Sequence, residues 1–199
     1  AALAAHGWAI EVDGLCVTAL QFLAAEAVTA DLLRLHWSPD LMTPAAGDVS
    51  FLVPAAGVGE RLGMGPKAFL ELCGRPLLCW ITDKALQVAG EVLVAVPADR
   101  VDAAAELLPG CRVIAGGGSR HDSVARLARA ATGEWCMVHD AARPFASVAL
   151  FRGVLAAARG SGCAGAFLDP EVPVARIGGG LVLEGFDRDQ VGVFQAPQA

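Results

Sequence analysis

The sequence predicts a three-layer α/β domain with a mainly parallel sheet. Three observations carry that prediction. From about residue 49 onward, short apolar runs alternate with helix-length segments, and this alternation reads as βαβ units. Runs such as "SFLV" and "EVLVAV" are almost continuously apolar, as expected of strands covered on both faces. Glycine-rich stretches, "PAAGVG" from Pro54 and "AGGGS" from Ala115, follow directly after two of these runs. An open parallel sheet places its ligand loops there, beyond the carboxyl ends of its strands.

The elements follow in order. "VSFLVP" (49–54) is an apolar strand that leads into the first glycine loop. "PLLCWITDKALQVAG" (76–90) has helical spacing, with Gly90 as its stop. "EVLVAVP" (91–97) is a strand, "ADRVDAAAELLPG" (98–110) a short helix and "CRVIAGG" (111–117) a strand. "SRHDSVARLARAA" (119–131) is a helix with Ser119 as its N-cap. "WCMVHDAARP" (135–144) is a strand entering a loop, and "SVALFRGVLAAARGSG" (147–162) a helix capped by Ser147. "CAGAFLDP" (163–170) and "VPVARI" (172–177) are strands. Residues 1–48 end in "WSPDLMTPAAGD", whose Pro, Gly and Asp read as a linker. The chain therefore divides into an N-terminal segment, 1–48, and a main domain, 49–199.

Composition narrows the function classes. With 55% hydrophobic and 18% charged residues in 199, the chain is globular and not disordered. A formal net charge of -6 argues against non-specific nucleic-acid binding. It leaves room for a small anionic substrate in a locally basic cleft. The six cysteines form no CxxC pair and read as free thiols in a reducing cytoplasm. The histidines share no metal-ligand spacing, and no apolar run reaches the roughly 20 residues of a membrane span. The first residues lack the basic start of a signal peptide. A chain that begins without Met and stops at "QAPQA" reads as a truncated piece.

The candidate chemistry lies in three stretches. In "PAAGVGERLGMGPK", small residues from Pro54 to Gly59 let backbone approach a ligand, and exposed N–H groups in such a turn attract anions. Arg61 and Lys67 add positive charge at its far end. Read alone, the loop is equally a tight strand-to-helix turn, and Lys67 a solvated lysine. "AGGGSRHDSV" places Arg120 and Ser123 at the start of a helix, whose N-terminus favours anions. "VHDAARP" puts Asp140 at a strand end with Arg143 three residues on. A carboxylate beside phosphate loops suits Mg²⁺, which shares its sphere between few protein oxygens and substrate phosphates. The plainer alternative is a loop-capping Asp140 with Arg143 as its ion-pair partner.

Together these motifs resemble the 2-C-methyl-D-erythritol 4-phosphate cytidylyltransferase family, enzymes that make CDP-activated polyols. The pattern PAAGxGxR(M/L)G…PK, GGxxRxxSV, VHDAARP, PV and DR…QTPQ runs in order from Pro54 to Gln198. The resemblance implies a Rossmann-like nucleotidyltransferase fold, CTP as nucleotide, Mg²⁺ held by Asp140, and a cytoplasmic homodimer with no nucleic-acid or membrane partner. It implies that Pro54, Ala55, Ala56, Gly57, Gly59, Arg120 and Ala141 line the nucleotide, and that Gly117 and Ser123 contact the cytosine. Arg61 and Lys67 would stabilise the transition state. Arg143 and Arg176 would bind the acceptor phosphate, and Arg188 would reach the partner's acceptor site. On the acceptor side the chain departs from the pattern. No Asp-Thr pair follows Pro173-Val174, Ala196 stands where the family has Thr, and the family's terminal lysine would lie beyond Ala199. These departures imply a raised KM for methylerythritol phosphate. They leave open another polyol phosphate such as ribitol 5-phosphate, or a nucleotide-binding module without useful turnover. Residues 1–48 faintly resemble the late strand-helix-strand part of an EAL-type signalling domain.

Overall fold

The computed structural model describes residues 9–12, 15–18, 46–57 and 65–199. Near the start, β1 (Ala9–Val12) and β2 (Leu15–Thr18) form an antiparallel pair. Residues 1–8, 13–14 and 19–45, with most of the linker and of the EAL-like stretch, lie outside the described residues. Ala46, Gly47 and Asp48, read from the sequence as the end of the linker, instead begin a strand, in which Ala46 pairs with Ala89.

Strand β3 (Ala46–Pro54) opens the main domain, and two short strands follow it, β4 (Glu71–Leu72) and β5 (Arg75–Pro76). Next come β6 (Ala89–Val96), β7 (Arg112–Ala115), β8 (Trp135–Val138) and β9 (Gly165–Leu168). A separate hairpin, β10 (Val174–Gly178) with β11 (Leu181–Phe186), precedes the last strand, β12 (Val193–Gln198). Six of these form the central sheet, in the order β7-β6-β3-β8-β12-β9. Strands β7, β6, β3 and β8 run parallel to one another. Within the sheet β12 is reversed, and it pairs antiparallel with both β8 and β9. The mainly parallel sheet expected from the sequence is therefore present.

Alternation along the strands builds two cores. Phe51, Val53, Val92, Val94 and Met137 face one side. There they meet α1 (Leu77–Ala85), α2 (Val101–Leu107) and α4 (Val148–Ser161) through Ile81, Ala104, Phe151 and others. Leu52, Leu93 and Ala95 face the other side and pack on Leu127 of α3 (Arg120–Ala130). Helices on both faces make the predicted three layers. The caps hold too, since Ser119 and Ser147 accept backbone N–H bonds from Asp122 and Leu150.

Gly90 is a correction. Helix α1 ends at Ala85, and Gly90 lies inside β6. The β3–β6 register shifts between Ala46 and Ser50, and the backbones close up there. A Cβ on Gly90 would sit 2.8 Å from the Gly47 Cα. The glycine serves strand contact and does not stop the helix. Among the described residues no helix is long and apolar enough to cross a membrane.

Candidate active site

The parallel register brings the three motif stretches to one edge. Leu52 is opposite Val138, and Pro54 is opposite Ala95. Pro54 and Asp140 thus lie two residues beyond the same rung of adjacent strands, which in a sheet are about 4.8 Å apart. Backbone bonds extend the edge. The Ala55 N–H donates to the Ala95 carbonyl at 2.7 Å, Gly116 to Val96 at 2.8 Å and His139 to Leu52 at 3.0 Å.

The two glycine loops touch. A Cβ on Gly116 would stand 2.2 Å from the Ala56 Cβ and 2.9 Å from the Ser123 Oγ. A Cβ on Gly117 would stand 2.3 Å from the Asp122 Cβ. Only glycine lets these segments close, so the second loop is glycine-rich for contact. Among the described residues, no atom lies within 4 Å of a Cβ built on Gly57.

The Ser123 hydroxyl accepts from the Gly117 N–H at 3.0 Å and donates to the Ser119 carbonyl at 3.0 Å. Ser123 is buried, so its hydroxyl shapes the loop from beneath. Arg126 donates to the Gly116 carbonyl at 2.9 Å and closes the loop from the other side.

Asp140 is the electrostatic centre of the edge. Its Oδ1 accepts from Arg120 Nε at 3.0 Å and Nη2 at 2.8 Å. Its Oδ2 lies 3.7 Å from Arg143 Nε. Arg143 also donates to Gln195 of β12, which draws the C-terminal motif to the same place. Two guanidinium groups around one carboxylate leave net positive charge where a polyphosphate would be drawn.

Beneath the edge, His139 is fully buried. Its ring packs edge-on against Phe151 at 5.0 Å, and Nε2 donates to the Arg143 carbonyl at 3.0 Å. Burial pushes its pKa down to about 4, so the ring is neutral near pH 7.

Other predicted residues are placed as follows. Lys67 opens a short 3₁₀ turn, Lys67–Phe69, after Pro66. Arg61 and Gly59 lie outside the described residues. Ala141 is buried among the core side chains. Arg176 stands on the separate hairpin in a cross-strand ion pair with Glu184 at 3.0 Å. Arg188 follows that hairpin and donates to the Glu171 carbonyl at 3.4 Å. Among the described residues, neither pairs with the Asp140 cluster. Sequence reasoning missed Gln195, although it stands in the "QAPQ" motif, and Lys84 of α1.

A family model for 2-C-methyl-D-erythritol 4-phosphate cytidylyltransferase matches residues 49–199. A Thermus thermophilus protein of that name is 50% identical over 117 residues, covering 59% of this chain and 53% of the relative. The chain thus spans about half the length of that curated relative. The crystal structure of a Thermus thermophilus enzyme of that name aligns with TM-score 0.57 at 37% identity, over 76% of this chain and 69% of the other. A 4-diphosphocytidyl-2C-methyl-D-erythritol synthase from Anaerococcus prevotii aligns with TM-score 0.67 at 25% identity, over 76% and 70% of the two chains.

Proposed function

The chain belongs to the 2-C-methyl-D-erythritol 4-phosphate cytidylyltransferase family, and from that premise we propose that it transfers CMP from CTP to 2-C-methyl-D-erythritol 4-phosphate. Pyrophosphate is the other product, and the step belongs to isoprenoid precursor synthesis. One observation carries the reading: two touching glycine loops and the Arg120–Asp140–Arg143 cluster share one sheet edge.

The chemistry needs few groups. A phosphate oxygen of the acceptor attacks the α-phosphorus of CTP, forming one P–O bond, while the bond to pyrophosphate breaks. The nucleophile is already anionic, so no general base is required. Catalysis is orientation and neutralisation of the charge that develops on the α-phosphate. Backbone of Ala55–Gly57 and Gly116–Gly117 accommodates the nucleotide, Lys67 and Arg61 meet the developing charge, and Arg143 meets the acceptor. A lone carboxylate at a phosphate site is a donor set that suits Mg²⁺. Asp140 would hold the ion, which when bound neutralises phosphate charge.

The chain acts as a homodimer in this reading. The β10–β11 hairpin exposes Ile177, Leu181 and Val182 at 74%, 69% and 71%. An isolated two-stranded ribbon is marginally stable, and a second copy would cover these side chains and bring Arg188 to the neighbouring acceptor site.

The test is pyrophosphate release from CTP and Mg²⁺, screened over methylerythritol phosphate, ribitol 5-phosphate and other polyol phosphates. Release with methylerythritol phosphate is expected. Release only with another acceptor overturns the substrate, and release with none overturns the transfer.

A further inference from the structure

The loop from His139 to Ser147 joins β8 to α4 and carries Asp140 and Arg143. Several of its carbonyls turn inward. The Arg143 oxygen meets His139 Nε2, and the Pro144 and Ala146 oxygens accept from Lys84 Nζ at 2.6 and 3.1 Å. Lys84 comes from α1 and is 8% exposed. Among the described residues its ammonium makes no ion pair with a carboxylate. Burial alone pushes its pKa down to about 8.

Such a group is an expensive way to fill space. Burying an ammonium without a counter-ion is unfavourable, and an apolar side chain of the same length packs at lower cost. What the lysine supplies is direction. With two carbonyls pinned inward, the chain turns back at Arg143, whose N–H donates to the Asp140 carbonyl at 3.0 Å. Its guanidinium then stands beside the Asp140 carboxylate and Gln195. Productive geometry tolerates displacements of only about 0.5 Å, so a loop held by two hydrogen bonds from beneath differs from one that drifts.

We propose that Lys84 is a positioning residue of the active site, which holds the Pro144 and Ala146 carbonyls and so aims Asp140 and Arg143 at the reacting phosphates. This rests on the transfer reaction proposed above. Among the described residues Lys84 hydrogen-bonds to neither glycine loop, so its effect falls on turnover more than on nucleotide affinity.

Lys84→Met, unbranched and one atom shorter but without donors, tests the assignment. Circular dichroism and a thermal melt first establish folding. Calorimetry with CTP in EDTA should then give a Kd within about threefold of wild type, while kcat falls by about tenfold or more, the cost of a loosened loop. Amide hydrogen exchange should quicken across 140–146 and stay unchanged across 116–124. A kcat within about twofold of wild type overturns the proposal. So does a parallel loss of CTP affinity and turnover with exchange raised throughout, the pattern of general destabilisation. If Lys84→Met does not fold, Lys84→Gln, which keeps a donor for one carbonyl, is read by the same split. A wild-type chain that releases no pyrophosphate with any acceptor refutes the transfer reading alone, and the exchange pattern still decides for or against the role of Lys84 in the loop.

Discussion

The Ser123 hydroxyl has both a donor and an acceptor role filled inside its own loop, and this separates two accounts of the same residue. If it contacted cytosine, Ser123→Ala would erode the choice of CTP over UTP. If it shapes the loop, the variant leaves the Gly117 N–H without its partner, at about 1–3 kcal/mol. CTP and UTP should then weaken by the same factor, about tenfold, in calorimetric titration. A selective loss of CTP would return the residue to direct recognition. Gly116→Ala is a harsher change. Its Cβ would overlap the Ala56 Cβ at 2.2 Å, so the two loops must part. CTP binding should vanish although the core beneath is untouched, as near-ultraviolet dichroism can verify. Lys67→Ala should do the reverse, lowering kcat far more than CTP affinity, if its charge serves the transition state as proposed.

At the scale of elements, legibility in the sequence followed the strength of the local signal. Strands β3 and β6 and the capped helices α3 and α4 were readable because burial on both faces and a serine cap each leave a pattern. Strand β12 was missed. It holds Pro197, which has no N–H for a ladder, and pairs with β8 only at Gln198. Strand β11 was missed despite its signal: Gly179 and Gly180 have φ of +57° and +78°, the positive pair a tight hairpin uses. Motif residues at the edge were legible because spacing fixes them. The supports beneath were not, since Lys84 meets the Pro144 carbonyl across 60 residues. That contact makes a pH prediction. The Lys84 pKa is 10.5 ordinarily and about 8 in the fold. Between those values the unfolded chain binds the extra proton, so stability rises with pH there. Raising pH from 7 to 9.5 should shift the stability difference between wild type and Lys84→Met by about 2 kcal/mol in favour of wild type. Urea titrations at both pH values measure it, and a constant difference refutes the depressed pKa. Ser147→Ala, which removes the α4 cap next to this loop, should cost about 1 kcal/mol at either pH.

For the whole molecule, the question is why a chain of net negative charge carries an apolar ribbon outside its sheet. The hairpin pairs Ile177 with Val182 and Gly178 with Leu181, and all three apolar side chains are largely exposed. Contiguous exposure of this kind marks an interaction surface. The ribbon lies in sequence between β9 and β12, which pair with each other, so it can serve an assembly without disturbing the edge that carries Asp140. Arg188 sits where the ribbon returns to the sheet, and its hydrogen bond goes to Glu171 and not to that edge. On the proposed homodimer, these facts would give assembly a functional consequence. Ile177→Lys with Val182→Lys should barely alter folding, because surface substitutions of this sort stay within about 0.5 kcal/mol. Sedimentation velocity should show a dimer for wild type and a monomer for the pair. The monomer should bind CTP as wild type does but show a strongly raised KM for the acceptor, since Arg188 could no longer reach a neighbouring site. If the variant sediments as wild type does, the hairpin is not the interface. If it is monomeric with an unchanged acceptor KM, each chain completes its acceptor site alone.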